Sequence, residues 1–339
     1  MSDQNKLHSV HFLRFIAALA VVAHHVLIRY EYPVSVGAAG VDVFFIISGL
    51  VIGISIPREP SAASFAVKRL IRVLPLYWIA SVLFVAVAHF TWGFTPTGEQ
   101  VWRSIMLFPN ATNSWYPIYQ AAWTLCYEMF FYLVATICMV IFKGRARLAT
   151  FLIMIVVSIV PIQVPFAQPG VHYLSDLCLE FCAGLAISEI VLRKVEINRN
   201  SGVPLIAAAL VTFSINHIAN SASRPMSWGI PATMLILGAL SFDTLGWLQG
   251  KWARLAGDLS YSLYLVHVTT IQAFDFVSKK TGFDVYQNPI LALLIVVPSS
   301  ILIALFIHLY VERPVLKILR KRFMSRNFAS LKSTSHQSL

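Results

Sequence analysis

The stretch LRFIAALAVVAHHV, residues 13–26, decides the fold of this chain. It lies in a long apolar run near the N-terminus, yet it carries Arg14, His24 and His25. An ionisable side chain at the centre of a bilayer costs about 3 kcal/mol, so such groups normally face a partner or a cavity. The stretch therefore predicts a membrane-spanning helix with one face turned into the interior of a helix bundle.

The composition of the whole chain extends this interpretation to many membrane spans. Of the 339 residues, 58% are hydrophobic and only 12% are charged, whereas about a quarter of the residues in a soluble domain are charged. The first apolar run is too long for a signal peptide and lacks a small-residue cleavage site, so we expect it to be retained. The predicted fold class is an all-α polytopic membrane protein with about ten transmembrane helices. The predicted spans cover residues 11–28, 37–56, 73–91, 121–142, 148–163, 174–192, 203–219, 228–247, 258–277 and 289–311.

The distribution of Lys and Arg predicts the orientation of these spans. Most of these residues lie in the N-terminal segment, in alternate loops and in the C-terminal tail, on one face of the membrane. By the positive-inside rule, both termini are predicted to be cytoplasmic. The net charge of +11 is thus explained by topology and attraction to lipid headgroups, and we expect no nucleic-acid partner. The loops of the opposite face carry only Arg29, Arg103, Arg224, Lys279 and Lys280.

The domain organisation is simple. We interpret residues 1–325 as one membrane domain and residues 326–339 as a short basic and polar cytoplasmic tail without fixed structure. The cysteines all lie in apolar runs, which favours buried small side chains over a disulfide framework or a zinc site, and we expect no metal. They are Cys126, Cys138, Cys178 and Cys182.

Arg14 and His25 lie on one stripe of the first predicted helix. They are eleven residues apart, which places them within roughly 20° of each other and ~16 Å apart along the helix axis. His24 is rotated away by roughly 80–100°. In the predicted orientation, Arg14 lies at the cytoplasmic edge and His25 lies beyond the midplane, toward the outside.

Other ionisable groups are predicted at a similar depth in the outer half of the membrane. A single buried histidine or acid is commonly a structural hydrogen-bond partner, but several at one level favour a polar cavity. The residues concerned are the acids Asp42, Glu128, Asp176 and Glu180, which enter from the outer side, and His267 near mid-membrane.

Arginines form a second group at the cytoplasmic side. Arg69 and Arg72 are three residues apart and share a helix face. Positive-inside anchoring alone would explain them, but with Arg14 at the same depth they predict a pocket for an anionic cytosolic ligand. Asp258 and Glu312 also lie on this side, where they either pair with these arginines or cap helix ends.

The longest predicted non-membrane segment, residues 92–120, is rich in aromatic side chains. Two interpretations stay open for it: an aromatic belt at the membrane interface, or a lid or sugar-stacking surface. The aromatic residues concerned are Trp92, Trp102, Trp115, Tyr116 and Tyr119.

Taken together, the motifs resemble acyltransferase family three, the multi-pass bacterial membrane enzymes that O-acetylate sugars. Arg14 and His25 carry an Arg-x10-His pattern, and GVDVFFIISGLVI follows on the second helix. Arg69 and Arg72 carry an Arg-x2-Arg pattern, after which LPLYW, WTLCYEMFFY and LSYSLYLVH follow in family order. The WTLCYEMFFY form looks most similar to the exopolysaccharide-production branch of the family.

The resemblance implies acetyl-CoA, or another short acyl-CoA, as a cytosolic donor substrate, and no bound cofactor. It implies that Arg14, Arg69 and Arg72 bind the donor. His25 would act as general base on a sugar hydroxyl, with Glu128 orienting it, either in direct transfer or through an acetyl-histidine intermediate. The candidate acceptor or supporting residues are His24, Asp42, Trp123, Asp176, Glu180, Tyr264 and His267.

The expected partners are acyl-CoA, a surface glycan or lipid-linked oligosaccharide, membrane lipid and the polysaccharide-synthesis machinery, in the bacterial inner membrane. Two other functions stay open. A transporter or flippase of a sugar or lipid-linked glycan would also carry intramembrane His, Asp and Glu as a proton relay, although the chain has no repeated halves. The other is a structural partner of a polysaccharide synthase, which would give the many buried polar groups no function.

Overall fold

The computed structural model describes residues 7–30, 35–108, 117–163, 175–219 and 223–334, and all regular secondary structure in these ranges is helical. Two π-helical turns interrupt the α-helices: Pro225–Gly229 leads into α9, and His308–Glu312 joins α11 to α12. The α-helices of the described ranges are α1 (His8–Leu27), α2 (Gly40–Ser55), α3 (Ala62–Trp92), α4 (Gly98–Ile105), α5 (Trp123–Ile141), α6 (Ala146–Gln163), α7 (Cys178–Leu192), α8 (Arg199–Ala219), α9 (Ile230–Leu240), α10 (Lys251–Thr281), α11 (Pro289–Ile307) and α12 (Arg313–Thr334).

Several of these helices have the length and composition of membrane spans. This all-helical architecture is that of a polytopic membrane protein. Each of the ten segments predicted from the sequence overlaps one of the helices. Their number as membrane crossings and the orientation of the termini remain predictions. The described stretches that are long and apolar enough to cross a membrane are His8–Tyr30, Val36–Arg58, Ala62–Trp92, Gln120–Ile141 and Pro289–Phe323.

Local sequence signals account for the ends of the long helices. Ser61 caps the start of α3, because its hydroxyl accepts a hydrogen bond of 3.1 Å from the backbone N–H of Ser64. At the other end, Gly93 follows α3 with a φ of +69°, and Gly282 follows α10 with a φ of +74°. Glycine adopts this left-handed conformation without the steric penalty that a Cβ would bring.

Helix α2 forms the centre of the bundle. Of its apolar stretch, 72% is buried, against 28–50% for the other four candidate spans. It packs most closely against α7, where Gly49 and Gly184 bring the two backbones together. A Cβ on Gly184 would lie 2.0 Å from the carbonyl oxygen of Ile46 and 2.8 Å from the Cα of Gly49. Small residues therefore allow this close helix contact, as in many membrane bundles.

The remaining contacts of the bundle leave a space beside α2. Helix α1 packs against α10 and α2, and α3 packs against α5 and α10. These five helices surround the cavity that holds the candidate site. As predicted, the cysteines are buried side chains, and they are unbridged: Cys126, Cys138, Cys178 and Cys182.

The aromatic segment 92–120 divides between the surface and the core. Trp92 and Trp102 are exposed, as both interpretations of the segment require. Tyr119 differs from both, because it is fully buried and its ring packs against Phe84 with centroids 5.2 Å apart. It therefore belongs to the core and not to a surface belt or lid. Two other aromatic residues of the segment lie outside the described residues, Trp115 and Tyr116.

The C-terminal part of the chain is more regular than the sequence suggested. Helix α12 continues to Thr334, well into the segment 326–339 for which we predicted no fixed structure. The residues beyond Thr334 lie outside the described ranges.

Candidate active site

A cavity of about 830 Å³, including its open mouth, lies between α1, α2, α3, α5 and α10. Most of its wall is apolar, but four charged side chains also line it. The ionisable and phenolic side chains in the wall are Arg14, Arg69, Arg72, Glu128, Tyr132, Tyr261 and Tyr264. The structure thus brings together the three arginines that the sequence placed at one depth, although they come from two helices.

Arg72 is the arginine of the cavity that is paired with a carboxylate. Its Nη1 donates a hydrogen bond to Oε1 of Glu312, which is almost completely buried. The Arg72 guanidinium also lies 5.2 Å from the centroid of the Tyr261 ring. Of the two alternatives for the acids on this side, pairing with an arginine therefore holds for Glu312. Asp258 instead contacts His11 at 3.3 Å and Arg313, the first residue of α12, at 3.6 Å.

Arg14 and Arg69 have fewer partners. The Nη2 of Arg69 donates to the hydroxyl of Ser55 at 2.7 Å, and its guanidinium lies 5.2 Å from the Phe65 ring centroid. The Nε atoms of Arg14 and Arg69 are both buried, and neither has a hydrogen-bond partner among the described residues. A buried N–H without a partner costs about 1–3 kcal/mol, so an anion that supplies oxygen acceptors here would recover that free energy.

Glu128 forms the acidic part of the wall. Its Oε1 accepts hydrogen bonds from the hydroxyl of Ser48, at 3.2 Å, and from the hydroxyl of Tyr132 one turn further along α5. No hydrogen bond between Glu128 and His25 occurs among the described residues. The sequence-based expectation that this carboxylate orients the histidine therefore has no counterpart in the geometry.

Tyr264 belongs to the cavity wall and connects it to the histidines of the bundle. Its hydroxyl donates to the carbonyl oxygen of Ala121 at 2.7 Å and shares a second hydrogen bond of 2.9 Å with Thr124. The centroid of its ring lies 5.7 Å from that of the Phe44 ring and 5.6 Å from that of the His267 ring. Phe44 and Thr124 belong to the cavity wall, whereas His267 does not.

His25 packs against His267, the histidine that contacts the ring of Tyr264. The two imidazole rings are 4.8 Å apart between centroids, and the ring of His24 follows at 5.3 Å from His25. The Nδ1 of His25 lies 2.9 Å from the carbonyl oxygen of Val21, and the Nδ1 of His267 lies 2.6 Å from that of Tyr264. His267 is fully buried, and its Nε2 has no partner among the described residues. The predicted stripe of Arg14 and His25 is thus divided: Arg14 lines the cavity, whereas His25 does not.

A second polar cluster lies where α2, α5 and α7 begin. Arg224 donates from Nε and Nη2 to the two carboxylate oxygens of Asp42, at 3.0 and 2.9 Å. Its guanidinium lies 5.8 Å from the centroid of the Trp123 ring. Glu180 is 1% exposed and has no hydrogen-bond partner in the described ranges, while Asp176 is bonded at 3.3 Å to the hydroxyl of the preceding serine. None of these residues lines the cavity.

Sequence reasoning missed several residues of these two clusters. Tyr132 follows Glu128 by four residues, so the helical period could have identified it as a partner. Ser48 and Arg224 had no such signal, since their partners lie 80 and 182 residues away in the sequence. Arg224 was counted only as one of the few basic residues of its face.

The comparisons with known proteins agree with the motifs. The sequence profile of a family described as an acyltransferase domain matches residues 7–309, which include every residue that lines the cavity. The chain belongs to acyltransferase family three. The resemblance that the motifs predicted is therefore confirmed.

Two curated proteins show how this acyltransferase relates to others of its kind. It is 30% identical to the exopolysaccharide production protein ExoZ of Rhizobium meliloti over 306 residues, which cover 87% of this chain and 94% of ExoZ. It is 24% identical to the acyltransferase MdmB of Streptomyces mycarofaciens, with 94% of this chain and 93% of MdmB covered. No solved structure matches the acyltransferase significantly.

Proposed function

We propose that this acyltransferase moves a short acyl group, acetyl in the first instance, from cytosolic acyl-CoA to a hydroxyl of an exopolysaccharide or another cell-surface glycan. It would do so in the bacterial inner membrane. The observation that carries the proposal is one cavity lined by three guanidinium groups and by Tyr264, whose ring contacts one of a pair of imidazoles. Its similarity to a protein named for exopolysaccharide production supports a glycan as acceptor.

The arginine end suits the phosphates of coenzyme A. Guanidinium groups bind phosphate oxygens through paired, charge-assisted hydrogen bonds. The buried and unpartnered Nε atoms of Arg14 and Arg69 are donors that such oxygens would satisfy. The apolar remainder of the wall suits the pantetheine arm, which would extend from the arginines toward Tyr264.

His25 is the proposed general base. With its Nδ1–H donated to the carbonyl oxygen of Val21, the lone pair of Nε2 is left to accept a proton. In the proposed step, Nε2 takes the proton of the sugar hydroxyl while the hydroxyl oxygen attacks the thioester carbonyl carbon. The C–S bond then breaks, and the coenzyme A thiolate leaves and takes the proton from His25. An imidazole suits this exchange near neutral pH.

The step requires a movement of Tyr264. Because Tyr264 lines the cavity while His25 and His267 do not, and the Tyr264 ring packs against His267, the thioester would meet the imidazole only after this ring has turned aside. Glu128 would act at the donor end, where its hydrogen bonds place it, and not as the partner of His25.

Vesicles that contain only this protein test the proposal. Radiolabelled acetyl-CoA is supplied on the cytoplasmic side and an acceptor glycan on the opposite side, and we expect label on the glycan. If the glycan remains unlabelled while unacetylated sugar shows counterflow, the protein is a transporter. Label that stays on the protein when the acceptor is omitted would identify an acyl-histidine intermediate, and its absence would identify direct transfer.

A further inference from the structure

The π-helical turn His308–Glu312 places a buried carboxylate behind the cavity wall. It lies between α11 and α12, and the family match ends within it, at residue 309. A π turn shifts the side chains that follow it around the helix axis, and such turns often occur at functional sites. Here the last residue of the turn is Glu312, which is only 2% exposed.

Three donors form hydrogen bonds to this carboxylate. Oε1 accepts from Nη1 of Arg72, and Oε2 accepts from Nδ1 of His308 at 2.7 Å and from the hydroxyl of Ser262 at 2.6 Å. His308 and Ser262 are buried as well. Helix α10 and the π turn itself thus hold the carboxylate in a fixed place, and the carboxylate in turn holds a guanidinium of α3.

This arrangement distinguishes Arg72 from the other two arginines of the cavity. Arg14 and Arg69 have no carboxylate partner within hydrogen-bond distance in the described ranges, and each has a buried Nε without a partner. Arg72 reaches the same wall with its charge partly balanced and its orientation fixed. A guanidinium that is oriented before the ligand arrives loses less conformational entropy on binding.

We propose that Glu312 is a positioning residue: through its ion pair it holds Arg72 in the orientation in which the guanidinium binds the anionic end of the acyl donor. Glu312 does not itself touch the donor. The inference rests on the proposed function, because it takes coenzyme A as the anion.

The dissociation constant of coenzyme A, measured by calorimetry on the purified full-length protein in nanodiscs, tests this inference. Glu312→Gln removes the charge but preserves the shape, and we expect the dissociation constant to rise about tenfold, the scale of one charge-assisted hydrogen bond. Glu312→Asp, which retains the charge, should restore part of the affinity. The matched control is Glu189→Gln. Like Glu312, Glu189 forms ion pairs with arginine, in its case Arg147 and Arg193, but it lies outside the cavity. It should leave the affinity unchanged.

A double-mutant cycle separates positioning from a general effect on the fold. In the Arg72→Gln background, Glu312→Gln should change the dissociation constant less than about twofold, because Glu312 acts through Arg72. An equal rise with and without Arg72, or no rise at all, overturns the inference and leaves the proposed function intact. Failure of the unmodified protein to bind coenzyme A overturns the proposed donor and the inference together. If Glu312→Gln does not fold, Ser262→Ala removes one donor from Oε2, and a smaller rise that also depends on Arg72 is expected.

Discussion

The three arginines of the cavity differ in their partners, and the difference predicts different roles. Arg72 is held by a carboxylate, whereas Arg14 and Arg69 keep buried donors without acceptors. In the proposed function, these unsatisfied donors are where the charge of the acyl donor is neutralised. We therefore expect Arg14 and Arg69 to gain more hydrogen bonds from the donor than Arg72 does.

Replacement of Arg69 by Gln should weaken donor binding. The change removes a cavity guanidinium, and charge-assisted hydrogen bonds are worth about 1.5–3 kcal/mol, so we expect the dissociation constant of coenzyme A to rise at least about tenfold. Arg147→Gln is the control, because Arg147 pairs with Glu189 away from the cavity. If calorimetry shows unchanged affinity in Arg69→Gln, this arginine serves only the positive-inside anchoring of the helix.

Replacement of His25 by Ala should abolish acyl transfer while the protein still accumulates in the membrane. General base catalysis contributes about a hundredfold or more, so transfer of radiolabelled acetyl groups should fall by at least that factor. His89→Ala serves as control, since His89 is an exposed histidine near the end of α3. Substantial transfer by the His25→Ala variant would exclude His25 as the base.

The helical period predicts which residues share a face, but it does not predict what that face meets. It placed Arg14 and His25 on one stripe and Arg69 beside Arg72, because these relations lie within single helices. The ring of Tyr264 between the cavity and His25 depends on contacts with Thr124, 140 residues away in the sequence. Such contacts follow from helix packing, which a single sequence does not encode in any local pattern.

At the scale of elements, the contact between α2 and α7 is the tightest constraint on the bundle. Gly184→Ala would bring a Cβ against the backbone of Ile46 and Leu50, at 2.0 and 2.6 Å, where nothing can yield but the helices themselves. We expect a loss of about 1–3 kcal/mol in stability and a lower melting temperature in detergent. Gly144→Ala is the matched control, because a Cβ there meets nothing within 4 Å. Equal melting temperatures for the two variants would contradict the close contact.

The elements themselves were largely predictable, and the exceptions have physical causes. Apolar runs set the positions of the helices, since a lipid environment leaves a backbone few alternatives. The π turn at His308–Glu312 was not predicted, because its side chains form an ordinary helical sequence and the turn depends on the partners of Glu312 in α3 and α10. The same holds for the long α12, whose polar composition suggested a tail without structure.

At the scale of the whole molecule, the predicted orientation places the two ends of α10 on opposite faces of the membrane. Lys251 and Lys280 lie near these ends and are both exposed, while the native cysteines are buried. In right-side-out vesicles, a membrane-impermeant maleimide should label the Lys280→Cys variant. It should label Lys251→Cys only after the vesicles are opened. The reverse pattern would show that the termini lie outside.

In the proposed function, the ring of Tyr264 stands between the acyl donor and the face that the glycan reaches, so removal of this ring should expose the thioester to water. In Tyr264→Ala we expect release of free coenzyme A from acetyl-CoA without any acceptor to increase severalfold, as measured with a thiol reagent. Tyr264→Phe keeps the ring and should release coenzyme A at the unmodified rate. If Tyr264→Ala also releases none, the ring is not what keeps water from the donor.

In the proposed function, the contact between the Phe44 and Tyr264 rings would also matter for bioenergetics. A bacterial plasma membrane maintains a proton gradient, and a protein with a continuous aqueous passage across the membrane would dissipate it. Rings that part only while an acyl chain fills the gap would keep the bilayer electrically insulated throughout turnover. Insulation gives a reason, besides chemistry, for a bulky aromatic side chain at this point of the path.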